Sequence, residues 1–442
     1  MNSENKGVQL RFVSYEALSA IWHGEDSSAA LSRIGKEKEL DQQDLGLAWM
    51  ITMTILRNRD LLDCAIDSKL DRKKIDPIVR DVLRIGAVQI LMLDRVPSFA
   101  AVSTAVDLCK QIGVPRAAGL VNAVLRKLCD MTEHEIPLPK DKRQRMATEF
   151  SHPVWLIGKW AESEGYEFAS ALAAANNVEA PTVCRVNIRA KTPRQTLEFL
   201  LGQGVEARQI PNFPDYISIE APGHPETLPG FAEGYFSPQD PAFTVPVDLL
   251  EPLPGQRVLE IGCAPGGKLT HIAERYGGDI EIHGVDISKE RIDLARENLV
   301  RLGLSHLVNL HVEDGRKFGE PASFDWVLID APCTSLGVIR RHPEIRYRRK
   351  MQDILNMARV QSELIAAGLR VLKPGGSLVY CACSTEPEEG ENHMKNLPSG
   401  VQWTTPRDYQ PANFMQGKVL RTWPHIHNLD GMVAFRVRTP NR

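Results

Sequence analysis

The feature that most constrains the fold is a regular alternation of short apolar runs with longer helical runs, which begins near Gln256. The short runs are rich in β-branched residues and suit buried strands, whereas the long runs repeat apolar residues at helical spacing. In chain order the segments are Arg257–Ile261, Leu269–Arg275, Ile280–Asp286, Lys289–Leu302, Val308–Val312, Phe324–Asp330, Ile354–Leu372 and Ser377–Cys381. This alternation predicts a mostly parallel sheet with helices on both faces.

The first part of the chain has a different pattern. Between Phe12 and Met131, apolar residues recur at helical spacing with almost no strand-like alternation, which predicts an all-helical bundle. Turn signals at Arg95–Ser98 and Ile112–Pro115 separate helices of ordinary length. Prolines and charges concentrate in Ile136–Arg145, where we expect a linker with little to pack.

A third pattern lies between these two parts. After a helical stretch around Val154–Asn176, Thr182–Ile188 and Tyr216–Glu220 alternate like strands, and Pro193–Gly202 between them has helical spacing. The combination predicts a small α+β unit that accompanies the larger parallel sheet.

Composition narrows the class of protein. The chain has 442 residues, 43% hydrophobic and 25% charged, so collagen-like and disordered chains are excluded. No leader peptide and no membrane span is apparent, which predicts a cytoplasmic protein. The 8 cysteines are too sparse for a disulfide framework and lack zinc spacing, so we expect no metal. A net charge of -3 gives no global attraction to nucleic acid, which must instead bind a local basic patch.

A glycine-rich turn joins the first predicted strand of the large sheet to its helix. The run Val258–Lys268 brings small residues to the carboxyl edge of the sheet, where open α/β sheets bind ligands. It matches neither G-x-G-x-x-G nor a Walker A loop, which disfavours dinucleotide and ATP sites. The following strands end near Asp286, Asp314 and Asp330, so acids at the ends of adjacent strands outline one adenosyl-sized pocket.

Two cysteine blocks carry the most specific signal. The blocks Asp330-Ala-Pro-Cys333 and Tyr380-Cys-Ala-Cys-Ser384 each follow a predicted strand of the sheet. They resemble the Sun/RsmB-type family of RNA (cytosine-5)-methyltransferases, whose members use S-adenosylmethionine. The resemblance implies a Rossmann-like domain in which Cys383 is the nucleophile and Cys333 assists product release. In DNA cytosine-5 methyltransferases the cysteine of the Pro-Cys motif attacks instead, which leaves Cys333 as the rival nucleophile.

The chemistry of cytosine explains this set of groups. Cytosine C5 is a poor nucleophile, and addition of a thiolate to C6 makes C5 enamine-like, able to attack a methyl group on a sulfonium. A thiol with a pKa near 8.5 must be held as thiolate, and a group at N3 must respond to the developing charge. We expect Asp330 at N3, and Lys268 resembles a family lysine near the cofactor and the target base. The cofactor-binding residues expected are Gly262, Cys263, Ala264, Pro265, Gly266, Gly267, Lys268, Asp286, Asp314 and Asp330.

Several other residues are candidates for RNA contacts. Arg340 and Arg341 open a basic run that can hold phosphates, with Tyr347 available to stack on a base. By resemblance, Arg185 and Asn187 line the RNA side. The segments Tyr235–Asp240 and Asp430–Gly431 resemble family blocks of the same surface. Cys381 matches no family cysteine, and we expect it to be a small buried residue.

The resemblance extends towards the N-terminus. Leu120–Lys127, preceded by Val96–Val102, is similar to the helical domain related to the antitermination factor NusB, which precedes the catalytic domain in bacterial small-subunit rRNA methyltransferases. The implied domains are a NusB-like RNA-binding domain (1–137), linker helices with a small RRM-like α+β unit (138–235) and a methyltransferase domain (236–442).

The sequence departs from the family pattern at a few positions. Glu260-Ile-Gly-Cys263 stands where D-x-C-A-A is usual, Ala382 replaces a threonine, and Met432-Val433 replaces two phenylalanines. None of these changes removes a group that the mechanism requires.

The sequence therefore predicts a cytoplasmic rRNA cytosine-5 methyltransferase that uses S-adenosylmethionine. We expect RNA as partner, either naked or in an assembling particle, with no DNA or membrane partner, and a monomer. A tRNA substrate is the nearest alternative. A non-catalytic RNA-binding assembly factor is the alternative from another class, although such a protein has no need of Cys333, Cys383 and the acidic pocket.

Overall fold

The chain folds into two compact units. The computed structural model describes residues 3–71, 74–220 and 225–441. The first unit contains residues 1–179 together with 339–348, and the second contains 180–338 together with 349–442. Residues 339–348, here named the returning segment, thus belong to the first unit although the chain on either side belongs to the second.

The helices of the described residues lie in both units. In chain order they are α1 (Ser3–Trp22), α2 (Ser27–Glu37), α3 (Gln42–Ser68), α4 (Pro77–Leu91), α5 (Ser98–Gln111), α6 (Ala118–Leu128), α7 (Lys142–Glu149), α8 (Val154–Glu164), α9 (Tyr166–Asn177), α10 (Pro193–Gly202), α11 (Val245–Asp248), α12 (Gly267–Tyr276), α13 (Lys289–Arg301), α14 (Ile345–Arg348), α15 (Met351–Val371) and α16 (Pro424–His427). Among the residues described, no helix has both the length and the apolar character needed to cross a bilayer.

The strands of the described residues all lie in the second unit. They are β1 (Thr182–Val186), β2 (Glu206–Ile210), β3 (Phe213–Glu220), β4 (Phe236–Pro238), β5 (Arg257–Ile261), β6 (Glu281–Asp286), β7 (Val308–Val312), β8 (Phe324–Asp330), β9 (Leu372–Ala382), β10 (Gln402–Trp403), β11 (Met415–Gln416), β12 (Val419–Thr422) and β13 (Met432–Arg438).

The first unit is helical, as its sequence pattern predicts. Aspartates at the starts of α2, α3, α4 and α7 accept hydrogen bonds from backbone N–H groups of the first turn, which satisfies donors that the helix itself leaves unpaired. The apolar stripes of α1 and α3–α6 converge on one core that includes Leu18, Ile55, Leu83 and Leu125.

The predicted linker at Ile136–Arg145 is wrong in part. Ile136 is 5% exposed and packs in the core of the first unit, and Lys142 to Arg145 form the beginning of α7. Asp141 starts this helix by accepting a hydrogen bond from Gln144 N–H (2.9 Å). Asp141 and Ile136 are local signals of ordered structure, but the many prolines and charges around them favoured a linker instead.

The returning segment is anchored by buried polar contacts within the first unit. The Arg346 side chain is fully buried, and its guanidinium donates to the carbonyls of Phe150 and Ser151 (both 3.2 Å) and to Asn177 Oδ1 (2.7 Å). The Tyr347 hydroxyl donates to Leu56 O (2.9 Å). These bonds satisfy backbone carbonyls that the surrounding helices leave unpaired.

These contacts correct the expectation of an exposed basic patch after Cys333. Arg340 is 3% exposed, so its expected contact with RNA phosphates is contradicted by burial. Tyr347 is not available to stack on a base, because the Arg59 guanidinium lies 3.5 Å from its ring centroid and Trp22 packs edge-on against the same ring. Arg341 is half-buried, and its RNA contact stays a prediction.

The second unit begins with a small antiparallel sheet in the order β2-β3-β1-β4, accompanied by α10. The predicted strands at β1 and β3 and the predicted helix Pro193–Gly202 are confirmed. The alternating pattern missed β2 because it is polar and mostly exposed, and β4 because it has three residues.

The larger sheet carries the edge at which the predicted site residues lie. Its strand order is β11-β12-β13-β9-β8-β5-β6-β7, with β10 paired to β13. Strands β9, β8, β5, β6 and β7 run parallel, as the alternation from Gln256 predicts, and β13 joins β9 in the antiparallel direction. The sheet is therefore mixed, and the carboxyl ends of its parallel strands meet at one edge.

Candidate active site

Acidic residues end four adjacent strands of the large sheet. Glu260 lies near the end of β5, Asp286 and Asp330 are the last residues of β6 and β8, and Asp314 follows β7 by two positions. The strand order β8-β5-β6-β7 brings these ends together at the carboxyl edge of the sheet. The series of acids expected from the sequence, Asp286, Asp314 and Asp330, is present, and Glu260 adds a fourth acid to it.

The glycine-rich turn after β5 lies close to β8. Gly262 has a φ of +76°, and a Cβ atom there would lie 2.3 Å from the carbonyl oxygen of Asp330. Gly266 also has a left-handed backbone (φ +102°) and directly precedes α12. Only glycine combines this conformation with so close an approach. The turn leaves Pro265 and Gly267 exposed and buries Ala264, so its backbone can lie against a ligand.

The side chains expected to contact the cofactor differ in their surroundings. Asp286 is 4% exposed, and its carboxylate accepts a hydrogen bond from Ser288 N–H (3.0 Å). Asp314 binds the Arg316 guanidinium (2.7 Å), whose hydrogen bonds lower the pKa of that carboxyl. Cys263 is buried, and its thiol packs against Gly284 of β6. Its backbone, and not its thiol, is therefore the part that can contact a ligand at the turn.

Glu260 is a candidate site residue that the sequence analysis did not include in the site. Its side chain is fully buried, and neither carboxylate oxygen has a hydrogen-bond partner among the residues described. Burial, and then the nearby charge of Asp330, raise the pKa of Glu260 well above its usual value. A buried unpaired carboxyl at a ligand edge is typical of a group that a bound polar ligand satisfies. The local signal was an acid directly before the glycine turn.

Lys268 and Asp330 form an ion pair at this edge. Lys268 Nζ lies 2.7 Å from Asp330 Oδ2, and Lys268 is 6% exposed. Burial alone would lower the pKa of Lys268, but the charge of Asp330 and the neighbouring thiols of Cys381 and Cys383 outweigh it and raise the pKa well above its usual value. The lysine is therefore a fixed positive charge beside the cysteines.

The two cysteine loops meet directly. The thiols of Cys333 and Cys383 lie close enough for the charge on one to affect the other, and both residues are half-buried. Their interaction lowers the pKa of Cys333, whereas the same interaction and burial raise the pKa of Cys383 well above its usual value. The pair thus accommodates one negative charge far more readily than two.

Backbone contacts hold these loops at close range. Gly337 N–H, beyond Cys333, donates to Cys383 O (3.1 Å), and Gly431 N–H donates to Gly337 O (2.7 Å). A Cβ atom at Gly337 would lie 1.9 Å from Gly431 O, so the three segments pack through bare backbone. The Asp430–Gly431 block is thereby placed beside the cysteine loops, with Asp430 itself buried.

Cys381 is buried, as expected. Its thiol lies 3.4 Å from Ile329 O and 3.7 Å from Asp330 Oδ1, and burial raises its pKa well above the usual value. The side chain fills space between β9 and β8 and keeps its proton.

Arg185 and Asn187 do not line an exposed surface. Arg185 is 1% exposed, and its guanidinium binds Glu274 (2.8 Å) and donates to Gly267 O (2.9 Å) in the first turn of α12. The Asn187 side chain, also 1% exposed, donates to the carbonyls of Gly234 and Leu302. The expectation that both residues contact RNA is contradicted by this burial. Both instead fix internal elements, and Arg185 anchors the helix that follows the glycine turn.

Family models match the chain in three segments. Residues 11–130 match the NusB family, residues 152–225 match the ferredoxin-like domain of RsmF/B-like methyltransferases, and residues 247–438 match 16S rRNA methyltransferase RsmB/F. The order of these segments agrees with the order of the three sequence patterns.

Curated relatives match over most of the chain. Ribosomal RNA small subunit methyltransferase B of Pseudomonas syringae pv. tomato is 37% identical over 385 residues, which cover 86% of this chain and 84% of the relative. The chain belongs to the RsmB methyltransferase family. A probable ribosomal RNA small subunit methyltransferase B of Bacillus subtilis is 29% identical, and the match covers 98% of this chain and 99% of that protein.

Solved structures share the fold of this RsmB family member. The crystal structure of PH0851 is 27% identical, with a TM-score of 0.82 and 98% coverage of both chains. NSun6 from Pyrococcus horikoshii, solved with SFG, is 23% identical and has a TM-score of 0.59. The match covers 65% of this chain and 98% of the NSun6 chain. The sequence expectations of a NusB-like helical part and a methyltransferase part are confirmed.

The cofactor of this RsmB family member is S-adenosylmethionine. The residues at the sheet edge fit that group. The glycine turn permits close backbone approach, Asp286 offers a carboxylate for ribose hydroxyls, and the unpaired Glu260 offers a buried acceptor. The two thiols and the Lys268–Asp330 pair lie at the same edge of the sheet, at the ends of β8 and β9.

Proposed function

We propose that the protein methylates C5 of a cytosine in small-subunit ribosomal RNA through a covalent bond between Cys383 and C6 of the base. The relatives are named for methylation of that RNA, which supports the substrate class. The observation that carries the chemistry is the meeting of the Cys333 and Cys383 loops, with Gly337 N–H donating to Cys383 O (3.1 Å), beside the Lys268–Asp330 ion pair (2.7 Å).

The proposed reaction starts at the sulfur of Cys383. Its thiolate adds to C6, which makes C5 nucleophilic. S-adenosylmethionine, when bound, supplies a methyl group on a positively charged sulfur. C5 takes this methyl group, and the cofactor leaves as a neutral thioether. The C5 proton then passes to water, and the electrons of the C–H bond re-form the C5–C6 double bond and expel the sulfur of Cys383, so that the aromatic ring and the thiolate are both restored. Cys333 assists this release.

The remaining side chains stabilise charge. The two neighbouring thiols carry one negative charge far more readily than two, so a proton that stays on Cys333 favours the thiolate at Cys383. Asp330 contacts N3 of the base. Its ion-pair partner Lys268 (2.7 Å) holds a proton next to it, and this positive charge stabilises the negative charge that develops on the ring.

The test is to trap the covalent intermediate. Cys333→Ala, incubated with S-adenosylmethionine and unmodified small-subunit rRNA, is expected to give a protein–RNA adduct on a denaturing gel, whereas Cys383→Ala gives none. Wild-type protein is expected to form 5-methylcytosine in that RNA, which mass spectrometry of the nucleosides detects.

Other outcomes would change the assignment. An adduct only with Cys383→Ala would exchange the two roles, and methylation by the wild type without an adduct from either variant would exclude this mechanism. Unmodified tRNA as a parallel substrate tests the RNA class, since methylation of tRNA alone would overturn the rRNA assignment. Absence of S-adenosylmethionine binding would leave a non-catalytic RNA-binding protein.

A further inference from the structure

A buried carboxylate outside the expected site lies between the two cysteine loops. Glu389 lies in a short turn after β9 and is 0% exposed. One carboxylate oxygen accepts hydrogen bonds from Thr334 N–H (2.8 Å) and Gln361 Nε2 (3.1 Å). The other accepts from the hydroxyls of Ser384 (2.5 Å) and Thr334.

The donors come from three separate segments of the site. Thr334 directly follows Cys333, Ser384 directly follows Cys383, and Gln361 lies on α15. Gln361 Nε2 also donates to Pro332 O (2.9 Å), on the other side of Cys333. One carboxylate therefore joins the backbone and side chains that flank both thiols.

Further buried contacts hold the Gln361 side chain and the Glu389 backbone in place. Its side-chain oxygen lies 2.9 Å from His393 Nε2, and the Tyr380 hydroxyl donates to the backbone carbonyl of Glu389 (2.8 Å). The network has a defined geometry because each of these polar groups is buried or nearly so.

The chemistry of a carboxylate suits this position. An ionised carboxylate only accepts hydrogen bonds and offers about four acceptor positions, so one side chain can receive all of these donors at once. Burial raises the pKa of Glu389, and the hydroxyl, amide and backbone donors act against that shift. Burying a carboxylate among neutral donors is a costly way to stabilise a fold, which points to a requirement for geometry at the thiols.

We propose that Glu389 is a positioning residue that holds the loops of Cys333 and Cys383 in the relative placement required for attack on the base. The inference rests on the proposed function for its kinetic consequence. Its structural consequence, the placement of the two loops and their thiols, can be tested without RNA.

The central experiment compares Glu389→Ala with Glu389→Gln in the full-length protein. The alanine variant removes every acceptor of the network. The glutamine variant can keep the network, because its oxygen accepts from Thr334 N–H and Gln361 while its amide nitrogen donates to the two hydroxyls after they rotate. Glu320→Ala, which changes an exposed glutamate of the same unit, is the control.

We expect Glu389→Ala to lower the single-turnover methylation rate roughly 100-fold, as a displacement of about 1 Å does for aligned reacting groups. The Kd for S-adenosylmethionine should stay within about twofold of the wild type. Adduct yield in a Cys333→Ala background should fall in parallel, and Glu389→Gln should recover most of the rate. A folded alanine variant with wild-type rate would overturn the proposal, as would a glutamine variant as inactive as the alanine variant.

A second measurement separates this inference from the proposed function. Alkylation of the free protein by iodoacetamide, followed by mass spectrometry, gives the ratio of rates at Cys333 and Cys383. Glu389→Ala should change that ratio at least about threefold even if the wild type forms no 5-methylcytosine. An unchanged ratio would overturn the positioning role, whereas a changed ratio with no wild-type methylation would overturn only the proposed function.

A milder variant covers the case in which Glu389→Ala does not fold. The double change Thr334→Val and Ser384→Ala removes the two hydroxyl donors and leaves the carboxylate bound to Thr334 N–H and Gln361. We expect an intermediate loss of rate, about tenfold, and a change in the alkylation ratio in the same direction. Wild-type values for both measurements would contradict the proposal.

Discussion

A single buried lysine supplies positive charge beside the paired thiols. Lys268 is 6% exposed and lies 2.7 Å from Asp330, and its charge lowers the pKa of Cys383 against the stronger effects that raise it. Removal of this charge therefore makes a thiolate at Cys383 harder to form.

We predict that Lys268→Met, which keeps the length of the side chain without its charge, lowers the methylation rate at least about 100-fold. The alkylation rate of Cys383, followed as pH rises from about 7 to 10, should be lower at each pH than in the wild type, because less of the thiol ionises. Lys289→Met, at a lysine with 72% side-chain exposure, is the control. An unchanged pH profile at Cys383 would contradict the electrostatic role.

The placement of site residues was predictable where a short sequence block is distinctive by itself. Cys333, Cys383, Asp330 and Lys268 stand in short distinctive blocks and lie at one edge of the sheet, and their individual roles stay predictions. Glu389 could not be found in this way, because its donors are set by the folding of separate loops. Arg185 was misassigned because its sequence block does not reveal that Glu274 and the start of α12 surround it.

At the scale of elements, the start of α2 and the returning segment form a pH-sensitive contact within the first unit. His342 Nδ1 lies 2.9 Å from Asp26 Oδ2, and Glu344 accepts from Ser27 N–H (3.0 Å). Burial would lower the pKa of His342, but the neighbouring carboxylates of Asp26 and Glu344 outweigh it and raise the pKa to about 9. Burial would raise the pKa of Asp26, but His342 and the α2 backbone lower it to about 2.

The direction of each shift defines a pH window. The unfolded pKa of histidine is about 6.5, so the stabilisation from His342 is complete below that pH and is lost as pH rises through about 9. The stabilisation from Asp26 is present above about pH 4 and is lost as pH falls towards 2. Both contributions are therefore complete between about pH 4 and 6.5.

We predict that His342→Gln removes about 1–2 kcal/mol of stability at pH 6, after allowance for solvent screening of a partly exposed pair, and much less at pH 9.5. Denaturant unfolding at the two pH values measures the difference. His134→Gln, at an exposed histidine of the same unit, should change neither value. An equal loss at both pH values would show that packing, and not charge, explains the effect.

Helices and strands were predictable where the apolar pattern was clear and turn residues marked its ends. The boundaries of β7, β8 and α10 agree with the sequence prediction because apolar periodicity and turn residues coincide there. The strands after residue 400 were not predicted, because β10 and β11 have two residues each. Strand β13 pairs antiparallel with β9, a partner about fifty residues earlier that local pattern does not specify.

At the scale of the whole molecule, the chain enters the first unit twice. Residues 1–179 form most of that unit, and the returning segment completes it. Arg346 bonds to carbonyls of Phe150, Ser151 and Asn176, which lie at the ends of α7 and α9. No domain division read along the sequence could reveal this, because the segment lies inside the methyltransferase pattern.

We predict that Arg346→Met destabilises the protein by about 3 kcal/mol, because Asn177 Oδ1 and several buried carbonyls each lose one donor together. Hydrogen exchange should accelerate around residues 147–152 and 172–177, whereas the amides of β5 and β8 should change little. Arg126→Met, at an exposed arginine of the same unit, is the matched control. Uniform acceleration over both units would contradict a local anchoring role.

The returning segment also affects the order in which the protein can be completed during translation. Residues 180–338 must be made between the last helix of the first unit and the segment that fills it. At about 5–20 residues per second, the nascent helices wait roughly 10–30 s with the carbonyls of Phe150 and Ser151 lacking the Arg346 guanidinium. The part of the chain that leaves the ribosome first is therefore finished only after most of the second unit has been synthesised.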